Sequence, residues 1–554
     1  MKLGRRQFVF AAFGTLLLPT SLVACSSGDD PSPDGPPRAP DFRPLAVAED
    51  VFAHGVASGD PLADRVILWT RVTTAASEAK VRWVVARDPE LADVARHGVA
   101  ETAAARDFTI KVDVTGLEPA TTYYYAFALA DGGRSITGRT RTLPQDGADA
   151  ARFAFVSCSN YNNGYFNAYR AIARRHDLDF WVHLGDYIYE YADGAYGDES
   201  LGRTLDPRNE TVTLEDYRRR YALYRTDRDL KELHRQLPCI VVWDDHESAN
   251  DAYRDGAQNH VPSQGDWEAR KRAAAQAYLE WLPIRAEGPG VPVIYRSFRF
   301  GSLFDLAMLD TRLIGRDVQA GAAIKGQAGN KGTPAEWTDP NRQLLGAEQE
   351  QWLKESLSSS KQRGAAWRFL GNQVMFSPVR DPQDGQILFP DMWDGYQAAR
   401  TRIASHLVQN GIDNLVILTG DIHTSWALDV PVDPFTPEGY DPATGRGAYA
   451  VELVTPAVTS LGLEGNDLAD AAPELLRNSN PHLKFAQLTR KGYVLVDVTR
   501  ERVQGEWYFV RDHKVVTDEE ELAATFTCAS GTPRLVAASA PSPSRAPRAP
   551  APSA

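Results

Sequence analysis

Cysteine is scarce. Cys25, Cys158, Cys239 and Cys528 are all that the 554 residues contain. Thiols so few and so scattered exclude a disulfide framework as the scaffold. Positive charge is also in deficit: 60 Lys and Arg stand against 73 Asp and Glu, a formal net charge of -13. That argues against a nucleic-acid partner, because binding a phosphate backbone relies on clustered Lys and Arg. Past the N-terminus no run is apolar enough to span a membrane, and no internal repeat is evident. The composition is otherwise that of a globular protein, with 10% aromatic and 24% charged residues, and the chain is long enough for several domains.

The first residues read as an export segment. Arg5-Arg6-Gln7-Phe8 precedes the apolar stretch Val9 to Leu18, and Leu22-Val23-Ala24-Cys25 follows. A twin arginine before a short apolar core is the pattern of a twin-arginine signal. The core is too short to span a bilayer comfortably. Leu-Val-Ala-Cys resembles a lipobox, which makes Cys25 the expected site of lipidation. The twin-arginine route carries folded proteins, which suits a metal loaded before export. Residues 26–48, rich in Pro, Ser, Gly and Asp, are expected to form a disordered tether.

Residues 49–146 read as a separate β-domain. Val66–Val72, Val81–Ala86, Phe108–Val114 and Thr122–Leu129 are rich in β-branched and aromatic residues and separated by turns. Leu117-Glu118-Pro119 followed by Tyr123 resembles a tyrosine corner, so an immunoglobulin- or fibronectin-III-like sandwich is expected. Residues 147 to about 535 read as a second domain. Strands alternate with helical stretches at Phe166–Arg175, Leu214–Leu237, Ala273–Leu282 and Ala347–Leu357 as far as about Val430, which implies a layered α/β fold. After Asp429, strands without long helices between them suggest a second, more mixed sheet. Val293–Thr311 reads as a strand pair turning at Gly301-Ser302. Residues 536–554, nearly all Ala, Pro, Ser and Arg, are expected to be a disordered tail.

Four buried strands end in polar residues. Phe153–Val156 runs into Cys158, Phe180–Leu184 into Asp186 and Tyr189, Ile240–Trp243 into Asp245 and His246, and Leu415–Thr419 into Asp421 and His423. Apolar runs of this kind suit strands covered on both faces, and sites in such sheets lie beyond the strands' carboxyl ends. A carboxylate such as Asp186 can hold two cations at once. Phenolate from Tyr189 and thiolate from Cys158 favour Fe(III) over an alkaline-earth ion. Cys158, Asp186, Tyr189 and His423 therefore form one expected metal site. Asp245 and Asp421, with Asp186, form a second for an oxygen-preferring ion. His246 is placed to give a proton to a leaving oxygen. Taken singly, each piece has a plainer reading. A lone Gly-Asp is usually a turn, Cys239 and Cys528 read as buried hydrophobes, and His183 as core; His234, His260 and His482 receive no role. The metal reading rests on all four segments ending strands at one edge.

These blocks also carry a resemblance. G-D-Y-I-Y, W-D-D-H-E and G-D-I-H resemble the metal-binding blocks of calcineurin-like metallophosphoesterases, among them the purple acid phosphatases. Cys158, Asp245 and Asp421 depart from the usual pattern in the way of the PhoD-like alkaline phosphatase and phosphodiesterase family. Further matches lie at Phe52–Pro61, Met308–Arg312, Met392–Arg400 and Asn480–Phe485. The resemblance implies a metallophosphoesterase β-sandwich flanked by helices. It implies Fe(III) on Cys158, Asp186, Tyr189 and His423, and calcium on Asp186, Asp245 and Asp421. Asn372 carries over as a further metal ligand. Asp310 with Arg312, and Asp394 with Arg400, are expected to pair behind the ligands, with Arg312 also a candidate for binding substrate phosphate. Thr517–Thr525 is a candidate for a helix that closes the site.

The function implied is an exported, lipid-anchored, monomeric enzyme that cleaves phosphomonoesters and phosphodiesters and releases phosphate. A phospholipase D-like phosphodiesterase is the alternative within hydrolases. A non-catalytic surface-binding lipoprotein is the alternative outside them, and a missing motif ligand would have favoured it.

Overall fold

The computed structural model describes residues 39–130, 132–286, 290–322, 330–465 and 471–553. The expected export segment, Cys25 and most of the expected tether lie outside them. Residues 39–554 form one compact unit. Among the described residues no helix is long and apolar enough to cross a membrane.

Two large mixed sheets build the body of the chain. In the first, Ala150–Val156, Phe180–His183 and Cys239–Val241 lie side by side and parallel. In the second, Phe304–Met308, Trp367–Asn372, Leu415–Thr419 and Ala448–Val454 do the same. These strands are buried almost throughout, which is why they read as continuous apolar runs. The sheets pack through aromatic rings: Phe153 stacks on Phe180 at 4.9 Å and meets Phe369 of the second sheet edge-on at 5.5 Å. Asn167–Ala173, Leu214–Tyr224, Arg228–Gln236, Trp267–Trp281 and Ala347–Gln362 are the larger helices near the expected positions. The single helix expected at 214–237 is broken in two, and Asp227 caps the second piece by accepting from the Asp229 and Leu230 amides. The strand pair at 296–308 forms as expected.

The N-terminal strands divide between two sheets. Glu78–Ala86, Val94–Ala103, Thr122–Leu129 and Gly138–Arg141 form a four-stranded sheet of their own. Val56–Gly59, Arg65–Arg71 and Thr109–Thr115 face it across a core of Val66, Leu68, Val81, Tyr125 and Phe127. That second layer joins the first large sheet, ten strands in all, where Gly59 pairs with Cys239. The boundary expected near residue 146 therefore does not divide the sheet. Tyr123 does close its crossing: its hydroxyl accepts the Glu118 N–H at 2.9 Å.

Three expectations of local structure are corrected. Residues 39–48 are packed, not loose, because Phe42 is fully buried against Val84 and Tyr124. Thr517–Thr525 does not form a helix. Glu520–Ala529 is a strand paired with Arg502–Val510, and its Phe526 packs on Trp507 at 5.9 Å. Tertiary pairing outweighs the helical propensity of a Glu-rich stretch. The tail is not disordered. Leu535–Ala537 adds a strand, and the residues beyond it run as an extended strap tied by Arg545 to Asp497 at 2.8 Å and by Arg548 to Asp179 at 2.6 Å. Low hydrophobicity made it look unstructured, but its arginines find buried carboxylates. Cys158, Cys239 and Cys528 are buried and unpaired.

Candidate metal centre

The ends of the parallel strands are held in an uncommon backbone shape. Cys158, Asp186, Asp421 and His423 have φ of 62°, 58°, 63° and 62°. Left-handed geometry is unfavourable for residues with a Cβ and persists where the surroundings impose it, often at functional sites. Gly185, with φ of 107°, makes the close approach possible: a Cβ there would stand 2.4 Å from the Asp244 Cβ. Glu247 ties two strand ends together. Its buried carboxylate accepts the amides of Asp186 (3.1 Å), Tyr187 (2.7 Å) and Asp244 (2.9 Å).

The structure brings Cys158, Asp186 and His423 together and sets Asp245 beside Asp186, but it groups Asp421 with Asp244 and Asp245 and not with Asp186. Donor atoms of Cys158, Asp186 and His423 lie within 4.8 Å of one another, as do those of Asp186, Asp245 and His246, and those of Asp244, Asp245 and Asp421. Tyr189 joins the first group, with its oxygen 2.9 Å from Asp186 Oδ2 and 3.1 Å from His423 Nε2. The Ser460 hydroxyl lies 2.6 Å from that oxygen. His423 Nδ1 is 2.5 Å from the Leu461 carbonyl oxygen and donates to it, which leaves Nε2 free as a ligand. Asp421 sits with Asp244 and Asp245, on the Arg312 side of the site.

The electrostatics call for positive charge. Burial, followed by the charge of Asp186, pushes the Cys158 thiol well above its usual range, and burial followed by Asp186 does the same to Tyr189. Burial raises Asp186 and Asp421 as well. Burial lowers His423 to about 3, so its imidazole is neutral and its lone pair available. The Asp245 Oδ1 atom is buried and accepts no hydrogen bond. An unsatisfied buried carboxylate oxygen among raised acids fits a bound cation. Thiolate, phenolate and imidazole suit iron at the first cluster, while the carboxylates suit a hard ion beside it.

His246 stacks on Tyr189 with ring centres 4.2 Å apart, and its Nδ1 lies 2.7 Å from Glu190 Oε2. Glu190 is held in turn by the Asn250 amide and the Asn259 side chain. Burial alone would lower His246, but Asp245, Asp186 and Glu190 together outweigh it and raise it well above 6.5. A raised imidazole stabilises the fold fully below its unfolded value near 6.5, and that contribution is lost as pH climbs through the folded value. Glu190→Gln is expected to bring this loss to lower pH in metal-free protein. Melting temperature against pH reads it out, and an unchanged profile would sever Glu190 from His246.

Two expected site residues are engaged otherwise than expected. Asn372 is buried with both ends of its amide engaged: Oδ1 accepts from Trp393 at 3.0 Å, and Nδ2 donates to the Val374 carbonyl. It braces a loop and offers nothing to a metal. Arg312 is fully buried, and its guanidinium meets Asp244, Asp391 and Asp421 at 2.5, 2.9 and 2.6 Å. Its donors are spent on carboxylates and leave none for substrate phosphate. Asp310 does not pair with that guanidinium; it accepts the Arg312 and Leu313 amides. Asp394 does pair with Arg400, at 2.6 Å. Sequence reasoning missed Glu190, Asp244, Glu247, Asp391 and Ser460. Glu190, Asp244 and Glu247 flank predicted site residues and Asp391 precedes the Met392–Arg400 block, and that adjacency was the available signal; Ser460 had none.

This geometry agrees with the likeness to known proteins. The PhoD-like phosphatase family matches residues 153–507, and the N-terminal domain of PhoD-like phosphatases matches residues 39–144. The chain belongs to the PhoD-like phosphatase family. It is 37% identical over 467 residues to alkaline phosphatase D of Bacillus subtilis, covering 81% of this chain and 76% of that relative. A solved structure of PhoD superposes with a TM-score of 0.80 at 34% identity, over 89% of this chain and 92% of that one. A purple acid phosphatase from yellow lupin seeds shares the fold, with a TM-score of 0.55 at 12% identity over 88% of this chain and 75% of that one. Membership makes the chain a hydrolase of the alkaline phosphatase and phosphodiesterase type, and sets aside the non-catalytic reading.

Proposed function

We propose that this PhoD-like phosphohydrolase cleaves phosphomonoesters and phosphodiesters at a mixed site of Fe(III) and calcium, and releases phosphate outside the cytoplasm. The carrying observation is one carboxylate, Asp186, common to a cluster with Cys158 and His423 and to a cluster with Asp245 and His246. Cys158, Asp186, Tyr189 and His423 would hold the iron; Asp186, Asp245 and Asp421 would hold calcium. When bound, the cations supply Lewis acidity toward the phosphoryl oxygens. The chain's own residues do the rest. His246, charged and oriented by Glu190, is placed to give its Nε2 proton to the leaving oxygen as the ester bond breaks and the oxygen of a water molecule takes that oxygen's place on phosphorus. Tyr189 keeps that ring in place by stacking. Glu247 fixes the two carboxylate-bearing turns against each other.

The same reading takes the N-terminal layer as an immunoglobulin- or fibronectin-III-like sandwich, supported by its facing sheets and the Tyr123 crossing. It takes the N-terminal signal as a twin-arginine export segment with a lipid on Cys25, and the enzyme as a monomer acting on phosphate esters. A cavity of about 230 Å³ is lined by polar Asp251, Tyr253, Gln258, His260 and Gln319 and by apolar Ala257, Val318 and Ala322, and it borders the site where the Asp251 amide donates to Asp245.

Metal content and a visible spectrum test the site. Iron and calcium are expected together, with a charge-transfer band that disappears in Tyr189→Phe. Zinc without a band would retain a metallohydrolase and discard the Cys158–Tyr189 assignment. Neither metal bound, with no ester cleavage after repletion, would sink the reading.

A further inference from the structure

Arg312 lies where a cation is expected. Four carboxylates surround it: Asp244 and Asp245 from one sheet's strand end, Asp421 from the other, and Asp391 from a distant loop. The guanidinium forks onto Asp244 through Nε and Nη2 and onto Asp391 through Nη1, and Nη2 also reaches Asp421 at 2.6 Å. Arg316 and Gln319 hold Asp391 from its other side, at 2.6 and 2.8 Å. Asp245 is treated differently. Its Oδ2 accepts the Asp251 amide at 2.6 Å, while Oδ1 stays 3.7 Å from Nη2 and accepts nothing. The arginine thus closes both oxygens of Asp244 and of Asp391, takes one oxygen of Asp421, and leaves Asp245 open on the side it shares with Asp186 and His246.

We infer that Arg312 is a built-in cation: its guanidinium fills a position among Asp244, Asp391 and Asp421 that would otherwise take a divalent ion, and so limits how many ions the site holds. The inference rests on the metal-site reading proposed above and goes beyond it. Calcium takes about six to eight oxygen ligands, and converging carboxylates without a cation are costly to bury. A single fixed positive charge keeps these acids in place when metal is absent. It also keeps Asp244 and Asp391 from competing with Asp186, Asp245 and Asp421 for an incoming ion. Arg312 is therefore a positioning residue that acts through the carboxylates and does not touch the ester.

Equilibrium dialysis of the full-length protein against calcium, with bound metals counted by mass spectrometry, tests this in wild type, Arg312→Met and Arg312→Lys. Arg312→Met is expected to bind about one more calcium ion per chain than wild type, with iron unchanged and a melting temperature that climbs more steeply with calcium. Arg312→Lys keeps the charge and is expected to keep the wild-type count. An Arg312→Met protein that folds only when calcium is supplied would support the inference equally. An unchanged or smaller calcium count in Arg312→Met overturns it. Should that variant fail to fold under any condition, Arg312→Lys decides, and the loss of a calcium ion there overturns it. Wild type that binds no calcium at all overturns both this role and the site reading; wild type that binds calcium beside an unaltered Arg312→Met sinks only the role of Arg312.

Discussion

Asp186→Asn is expected to lower kcat/KM by at least about 10³-fold, ~4 kcal/mol of transition-state stabilisation, and to release metal from both halves of the site. Asparagine has the same shape, and its Oδ1 can still accept from Tyr189 or the His246 amide, so the packing survives. It cannot bridge two cations with negative charge. The substitution has a second, opposite consequence. Asp186 is raised by burial and by its neighbours Asp245, Asp244 and Glu247. A carboxyl whose folded pKa is raised costs stability once pH exceeds its unfolded value, and here that value is near 3.8. Metal-free Asp186→Asn should therefore melt higher than metal-free wild type at neutral pH while being inactive. Activity and melting in chelator check the pair of effects. An active variant would remove Asp186 from the bridge, and a variant that melts lower would show that its charge is compensated without metal. Cys158→Ser is expected to lose activity too, but it alters only one of the two clusters.

The site was legible in the sequence wherever its residues end buried strands. Cys158, Asp186, Asp245 and Asp421 follow runs that are apolar because both sheet faces are covered, and that pattern is local. Arg312 was legible as a residue of interest but not in its role. Its partners Asp391 and Asp244 lie 79 and 68 positions away, and no spacing rule links them. Asn372 was misplaced for the opposite reason: it ends a strand like the ligands, but the strand aims it at Trp393. The Glu-rich stretch 517–525 and the Pro-rich tail were misread because composition reports what a segment does alone. The first is made a strand by its neighbour, and the second is ordered by partners hundreds of residues away.

Removing residues 538–554 is expected to lower stability by about 3 kcal/mol and leave kcat unchanged at ambient temperature. The strap's partners decide both halves. Arg152 Nη2 donates to Ser542 Oγ at 2.8 Å and Asp497 receives Arg545 at 2.8 Å. Arg548 reaches Asp179 and the Leu178 carbonyl, each at 2.6 Å. Tyr124 of the N-terminal layer donates to the Ala549 carbonyl at 2.8 Å, and Gln236 accepts the Ala551 amide at 3.0 Å. Charge-assisted bonds of this kind contribute about 1.5–3 kcal/mol each when water cannot replace them. Truncation admits water to most of them, which keeps the net loss well below the sum. Catalysis is spared because of where these contacts fall. Arg152, Asp179 and Gln236 stand at the amino ends of the strands whose carboxyl ends deliver Cys158, Asp186 and Asp245. The strap therefore fastens the N-terminal layer to the floor of the sheet, a strand's length from the chemistry. Chemical denaturation and steady-state kinetics on the truncated enzyme measure the two separately. An undisturbed denaturation midpoint would show that the strap merely rests on the surface, while a lowered kcat with intact stability would tie the floor of the sheet to the geometry of the metal ligands above it.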